Sequence, residues 1–162
     1  MALFLALAAS ASVVDARERR LPNPILAAMA ALAVVGQCLR ALGADALAWT
    51  PLWALLGRSL PSPAACVDGG LAVTAAALLG ELLWRRRRGS VAFGLGDVKL
   101  LGCWGLATGP VFALAGLALG CGLGACFSLI RRQRTFPLGP WMNGACAGLC
   151  AVSWGAPGLL WS

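Results

Sequence analysis

The chain reads as a series of apolar stretches separated by short polar breaks. Six stretches are candidates for helices: Met1–Val14, Pro24–Leu42, about Cys66–Trp84, about Val98–Ala107, Pro110–Ile130 and about Gly139–Leu160. A helix that crosses a bilayer needs about 20 apolar residues, so the first and fourth are short for the task. Pro24 and Pro110 fall in first turns, where a missing N–H costs nothing. Gly109–Pro110 marks the turn between the fourth and fifth stretches. The pattern predicts an all-α polytopic membrane bundle of about six helices, forming a single domain over residues 1–162.

The polar breaks alternate in charge. The first, "DARERRLPN", carries Arg17, Arg19 and Arg20; the third holds Arg85–Arg88; the fifth holds Arg131, Arg132 and Arg134. The second has only Arg58 and Asp45, and contains "ALAWTPLWALLG", an amphipathic or re-entrant piece with Trp49 and Trp53 as interface residues. Arginine excess marks cytoplasmic loops, which places the odd loops in the cytoplasm and both termini outside. A cleaved signal peptide at "MALFLALAASASVVDA" would need a basic n-region, which is missing, and its removal would break the charge alternation.

Composition supports this picture. Of 162 residues, 60% are hydrophobic and 12% charged, with a mean hydropathy of +0.82. A soluble domain is about half apolar and a quarter charged. The net charge of +7 sits in arginine runs between apolar stretches, so no basic soluble domain remains for nucleic acid. The basic loops face anionic lipid instead. Histidine is absent, which excludes Ser-His-Asp and Cys-His catalysis and the H-E-x-x-H zinc site. The seven cysteines show no C-x-x-C spacing and mostly lie in apolar stretches. They read as small buried hydrophobes, with no metal, cofactor or disulfide framework expected.

Six acidic residues are present: Asp15, Glu18, Asp45, Asp68, Glu81 and Asp97. Glu81 precedes Arg85 by four residues, the favourable sense for a helical ion pair. Asp68 begins a helix or meets Arg58, Glu18 is solvated, and Arg40 snorkels outward. Asp15 lies just after the first apolar stretch and Asp97 just before the fourth, so both fall at one membrane face. Ionisable groups at such positions are functional candidates. Two carboxyls sharing one proton are the machinery of aspartic proteolysis, which needs neither metal nor covalent intermediate. Gly94 and Gly96, lacking Cβ, let backbone approach closely beside Asp97. The competing reading makes Asp97 the N-cap of the helix from Val98 onward.

Three separated stretches resemble the type IV prepilin peptidases. "DARERRLPN" is similar to their D-x-x-x-R-x-[IL]-P-N stretch, which includes Pro22 and Asn23 here. "GLGDVKLL" resembles their G-x-G-D-x-K-L signature, and "FPLGPW", with Pro137, Gly139 and Pro140, their P-x-G-P stretch. The likeness covers Asp15 to Trp141. It implies a GxGD-type membrane aspartic peptidase of the bacterial inner membrane. Such an enzyme cleaves the basic leader of prepilins or pilin-like secretion proteins at the cytoplasmic face. Asp15 and Asp97 would be the catalytic pair, and Gly94 and Gly96 would shape the loop. Lys99, the one lysine in the sequence, would hold either a phosphate headgroup or an acidic group of the substrate. The paired C-x-x-C motifs of bifunctional members are missing, so the chain resembles the short form found with Flp-type pili, without methylation activity.

Two other functions compete. A Ser-Lys dyad would use Lys99 with Ser90, though no serine pattern accompanies it. A non-catalytic membrane assembly factor or transporter would use Asp97 as a cap and Asp15 as a loop charge. The residues do not specify which prepilin is cut or the oligomeric state.

Overall fold

The computed structural model describes residues 2–43, 62–89, 94–132 and 136–155. Among these residues the only regular structure is helical, in six helices: α1 (Ala2–Glu18), α2 (Asn23–Ala41), α3 (Pro63–Arg88), α4 (Leu95–Thr108), α5 (Pro110–Arg131) and α6 (Leu138–Gly155). Three of them, α2, α3 and α5, are long and apolar enough to cross a membrane. A helical membrane bundle is the fold that the alternation of apolar and polar stretches predicts. The amphipathic piece with Trp49 and Trp53, Arg58, Ser90 and Arg134 lie outside the described residues.

The shortest apolar stretch, about Val98–Ala107, becomes the centre of the bundle. Helix α4 packs against α2, α3, α5 and α6. Nine of its 14 residues are buried, Trp104 completely. A helix covered on all sides needs no polar face. Its near-uniform apolarity therefore reports its central place. Phe4 of α1 meets the Trp104 indole edge-on at 5.0 Å, and Phe112 of α5 stacks on it at 6.1 Å. Leu26, Met29, Leu100, Leu101, Met142 and Cys146 fill the same core. Helices α3 and α4 touch backbone to backbone, since a Cβ on Gly105 would lie 2.9 Å from the Gly70 Cα.

Outward-facing surface is apolar too. Leu78, Leu79, Leu82 and Leu83 on α3 and Leu114, Leu119 and Leu123 on α5 are exposed. Water would penalise such a surface, whereas lipid does not.

Three helix ends differ from the sequence expectation, each for a local reason. Helix α1 runs past Val14 to Glu18, so Asp15 occupies its last turn; the helix stops where Arg19 turns left-handed, with φ 52°. Helix α3 continues through Arg85–Arg88, which the sequence reading assigns to a loop, and ends only at Gly89 with φ 62°. Arginine is a good helix former, and a left-handed glycine is what stops the helix. Helix α4 starts three residues before Val98, with Gly94 as N-cap. Asp97 is therefore in the first turn and not the cap itself. The turn at Gly109–Pro110 forms as expected, with Gly109 at φ 92°.

Buried polar groups are paired. Glu81, 2% exposed, forms the expected ion pair with Arg85. Gln37 of α2 donates to the carbonyls of Leu106 and Ala107 at 2.8 and 3.0 Å, satisfying acceptors that the end of α4 leaves open. Arg40 bonds the Gln37 Oε1 at 2.8 Å, so it turns inward at that point. Cys66, Cys103, Cys146 and Cys150 are buried free thiols, as the apolar setting suggests, whereas Cys38 and Cys126 are exposed.

Candidate active site

The ends of α1, α4 and α6 meet at one end of the bundle. Asp15, in the last turn of α1, is 6% exposed. Its Oδ2 accepts the backbone N–H of Gly139 at 3.2 Å, in the first turn of α6. The three stretches that carry the family likeness thus converge through backbone as well as side chains. Gly139 has no room for a side chain. A Cβ there would sit 2.7 Å from Asp15 Oδ2 and 3.4 Å from Leu21.

Leu21 bridges to the second carboxyl. A Cβ on Gly96 would lie 3.0 Å from the Leu21 Cβ, so α4 approaches the α1–α2 connection through a glycine. Leu21 fills the [IL] position of the D-x-x-x-R-x-[IL]-P-N stretch, which gives it no role by itself; the two glycines that crowd it are the signal of its place. Gly94 has a related constraint, since its Cβ would stand 2.9 Å from Asp97 Oδ2. The Asp97 carboxyl is hydrogen-bonded by the Gly94 backbone, the same return contact that an acidic residue makes in a capping box. Asp97 thus helps start α4 while its carboxyl stays at the site.

Both carboxyls stand one residue beyond the apolar stretches Met1–Val14 and Val98–Ala107. Burial raises the pKa of Asp15, opposed by the Gly139 N–H. Burial, and then the negative charge of Asp15, push Asp97 up to about 6; the Gly94 backbone bond acts against this. The two groups are close enough to feel one another, and their surroundings differ.

Lys99 and Asn23 also come together. Lys99 Nζ donates to Asn23 Oδ1 at 2.8 Å, linking α4 to the start of α2 beside Pro22. Pro137 and Pro140 flank Gly139 and are partly buried. The three prolines hold the chain where α2 and α6 begin.

Below the carboxyls lies a polar network that sequence reasoning missed. The Trp104 indole N–H donates to Asn143 Oδ1 at 2.7 Å. Asn143 Nδ2 donates to the Ala8 carbonyl at 3.0 Å and to Ser12 Oγ at 2.9 Å. Asn143 is one turn beyond Gly139, and Ser12 nearly one turn before Asp15. The network therefore fixes α1, α4 and α6 against each other next to the site. Only the isolated Asn in an apolar stretch hinted at it.

A protein-family model described as the type IV leader peptidase family matches residues 2–129. The chain belongs to the type IV leader peptidase family. Membership supports a leader-peptidase-like function in general and a place in a membrane. The match ends before Phe136–Trp141, so the Gly139 contact to Asp15 is an independent link between that last stretch and this leader peptidase relative's other motifs. Comparison with curated proteins returned no match, and comparison with solved structures returned none either.

Proposed function

We propose that the protein is an aspartic endopeptidase that removes the basic leader of a prepilin or pilin-like secretion protein at the cytoplasmic face of the bacterial inner membrane. The observation that carries this reading is the pairing of two aspartates in unlike environments within a leader peptidase family member. Burial raises both carboxyls and a backbone bond opposes it at each, but Asp97 also feels its neighbour's negative charge and is pushed up to about 6. The carboxyl so burdened is the acid and the other the base.

Asp15 then takes a proton from water as the water oxygen attacks the scissile carbonyl carbon. Protonated Asp97 donates to the carbonyl oxygen as negative charge develops there. The tetrahedral intermediate collapses, the proton on Asp15 passes to the leaving amine, and Asp97 recovers its own proton as the carbonyl re-forms. Every proton is accounted for by the two carboxyls and one water.

A substrate with a basic head and an apolar helical stem suits a site at the end of the bundle, with the cleaved bond at the head–stem boundary; the chain's own arginines do not attract that head and face anionic lipid instead. Co-expression tests the reading. A prepilin should lose its leader beside the wild-type chain and keep it beside Asp15→Asn or Asp97→Asn, with both variants still in the membrane. Normal processing by either variant would rule out the aspartate pair, and an uncut prepilin beside the wild-type chain would favour a non-catalytic assembly role.

A further inference from the structure

A groove of about 400 Å³ runs between α2, α3 and α4, next to the carboxyls but outside the chemistry assigned to them. Its α2 wall includes Asn23, Leu26 and Ala30, and its α4 wall Lys99, Cys103 and Leu106. Each set falls on one face of its helix. Each begins with a polar residue and continues apolar. The Lys99–Asn23 bond and the Cys103 Sγ contact to the Leu26 carbonyl, at 3.4 Å, hold the two walls in step. The polar residues therefore coincide at one end. Seven residues of helix below them give about 10 Å of apolar depth. Thr74, on the α3 side, donates its hydroxyl to its own helix at Gly70, which leaves the wall effectively apolar.

The mouth is cationic. Lys99 is exposed, and an ammonium has three donors, one of them directed at Asn23. Among the described residues, the one ion pair is Glu81–Arg85, so no carboxylate neutralises Lys99 at contact distance. Asn23 offers its Oδ1 to Lys99, which leaves its amide N–H groups to donate alongside the ammonium. A cationic donor above a small apolar groove matches an amphiphile with an anionic head. At about 400 Å³ the groove is too small to enclose an α-helix, whose diameter is about 10–12 Å.

We propose that this groove binds one acyl chain of an anionic phospholipid, with the headgroup phosphate held by Lys99 and Asn23. The site is independent of the peptidase reading and stands if that reading fails.

Native mass spectrometry of the full chain tests it, after equilibration in micelles containing phosphatidylglycerol and phosphatidylcholine with identical acyl chains. The wild type should retain one phosphatidylglycerol with roughly tenfold preference, because both lipids offer a phosphate but the choline cation of phosphatidylcholine repels Lys99. Lys99→Gln should bring that preference near parity, and Lys99→Arg should keep it. Ala30→Phe should fill the groove and reduce retention of both lipids. Because Lys99 is exposed, its variants test the site even if the Phe variant fails to fold. Millimolar inorganic phosphate should leave the bound lipid in place. Unchanged preference in Lys99→Gln, or full retention in a folded Ala30→Phe, would overturn the proposal. So would displacement by inorganic phosphate, which marks a free-anion site, or by an apolar peptide with an acidic residue, which marks a protein site.

Discussion

The carboxylate of Asp15 is held by the backbone N–H of Gly139, at 3.2 Å and across 124 positions of sequence. The first helix and the last are thereby joined at the residue proposed to act as base. Helix α4 brings Asp97 to the same place from the centre of the bundle. A peptide N–H is a fixed donor, so this contact orients the carboxylate and favours its charged form.

Gly139→Ala should disable the site without unfolding the protein. The new Cβ would meet Asp15 Oδ2 at 2.7 Å, and the carboxylate must move. A shift of about 1 Å in a reacting group costs on the order of 10²-fold. Cleavage should fall by about that factor while the unfolding temperature changes little. Gly144→Ala, with nothing within 4 Å of its Cβ position, should cleave normally. Equal losses in the two variants would show that helix stiffness, and not the Asp15 contact, is responsible.

Stability should depend on pH through Asp97. Its folded pKa of about 6 lies above the ordinary 3.8, so the folded state binds this proton more tightly than the unfolded state does. The resulting stabilisation is complete below pH 3.8 and is lost as pH rises through 6. It amounts to at most about 3 kcal/mol, less whatever solvent screens. Thermal unfolding in detergent from pH 4 to pH 8 should show the decline, and Asp97→Asn should flatten it. In Asp15→Asn the pKa of Asp97 should drop, because one of the causes that raise it is gone. Carbon-13 spectra of labelled aspartates can follow this directly, since the chain has only four.

Asn143→Leu should destabilise the bundle by about 1–3 kcal/mol, the cost of a buried indole N–H left without its acceptor. Adding Trp104→Phe removes that N–H. The double variant should therefore lose less than the sum of the single losses in chemical unfolding. Strict additivity would show that the two side chains act separately.

The sequence and the structure agree where local pattern is sufficient. The apolar stretches predict the helices, and Gly109–Pro110 predicts the turn. The Glu81–Arg85 spacing predicts the ion pair. The placing of Asp15 and Asp97 at the ends of apolar stretches predicts that both reach the same end of the bundle. What stayed hidden depends on packing or on backbone conformation. The arginines after Trp84 look like a loop because they are charged, but charge alone does not end a helix; Gly89 does. Asp97 looks like an N-cap because the apolar stretch starts after it, yet Gly94 takes that position and Asp97 bonds back to it. The centrality of α4 was hidden because a short apolar stretch reads as a weak span and not as a fully surrounded helix. Trp104, Asn143 and Ser12 lie far apart in sequence, and no spacing rule joins them.

The central claim is that Asp15 and Asp97 work as one catalytic unit. The most direct test is cleavage of a synthetic prepilin by the purified, reconstituted chain and its Asp15→Asn, Asp97→Asn and doubly substituted forms. Groups that act as a unit lose nearly everything on the first removal. Each single variant should therefore fall to the same residual rate as the double variant. A single variant that keeps substantial activity, or single losses that multiply to give the double, would contradict the account.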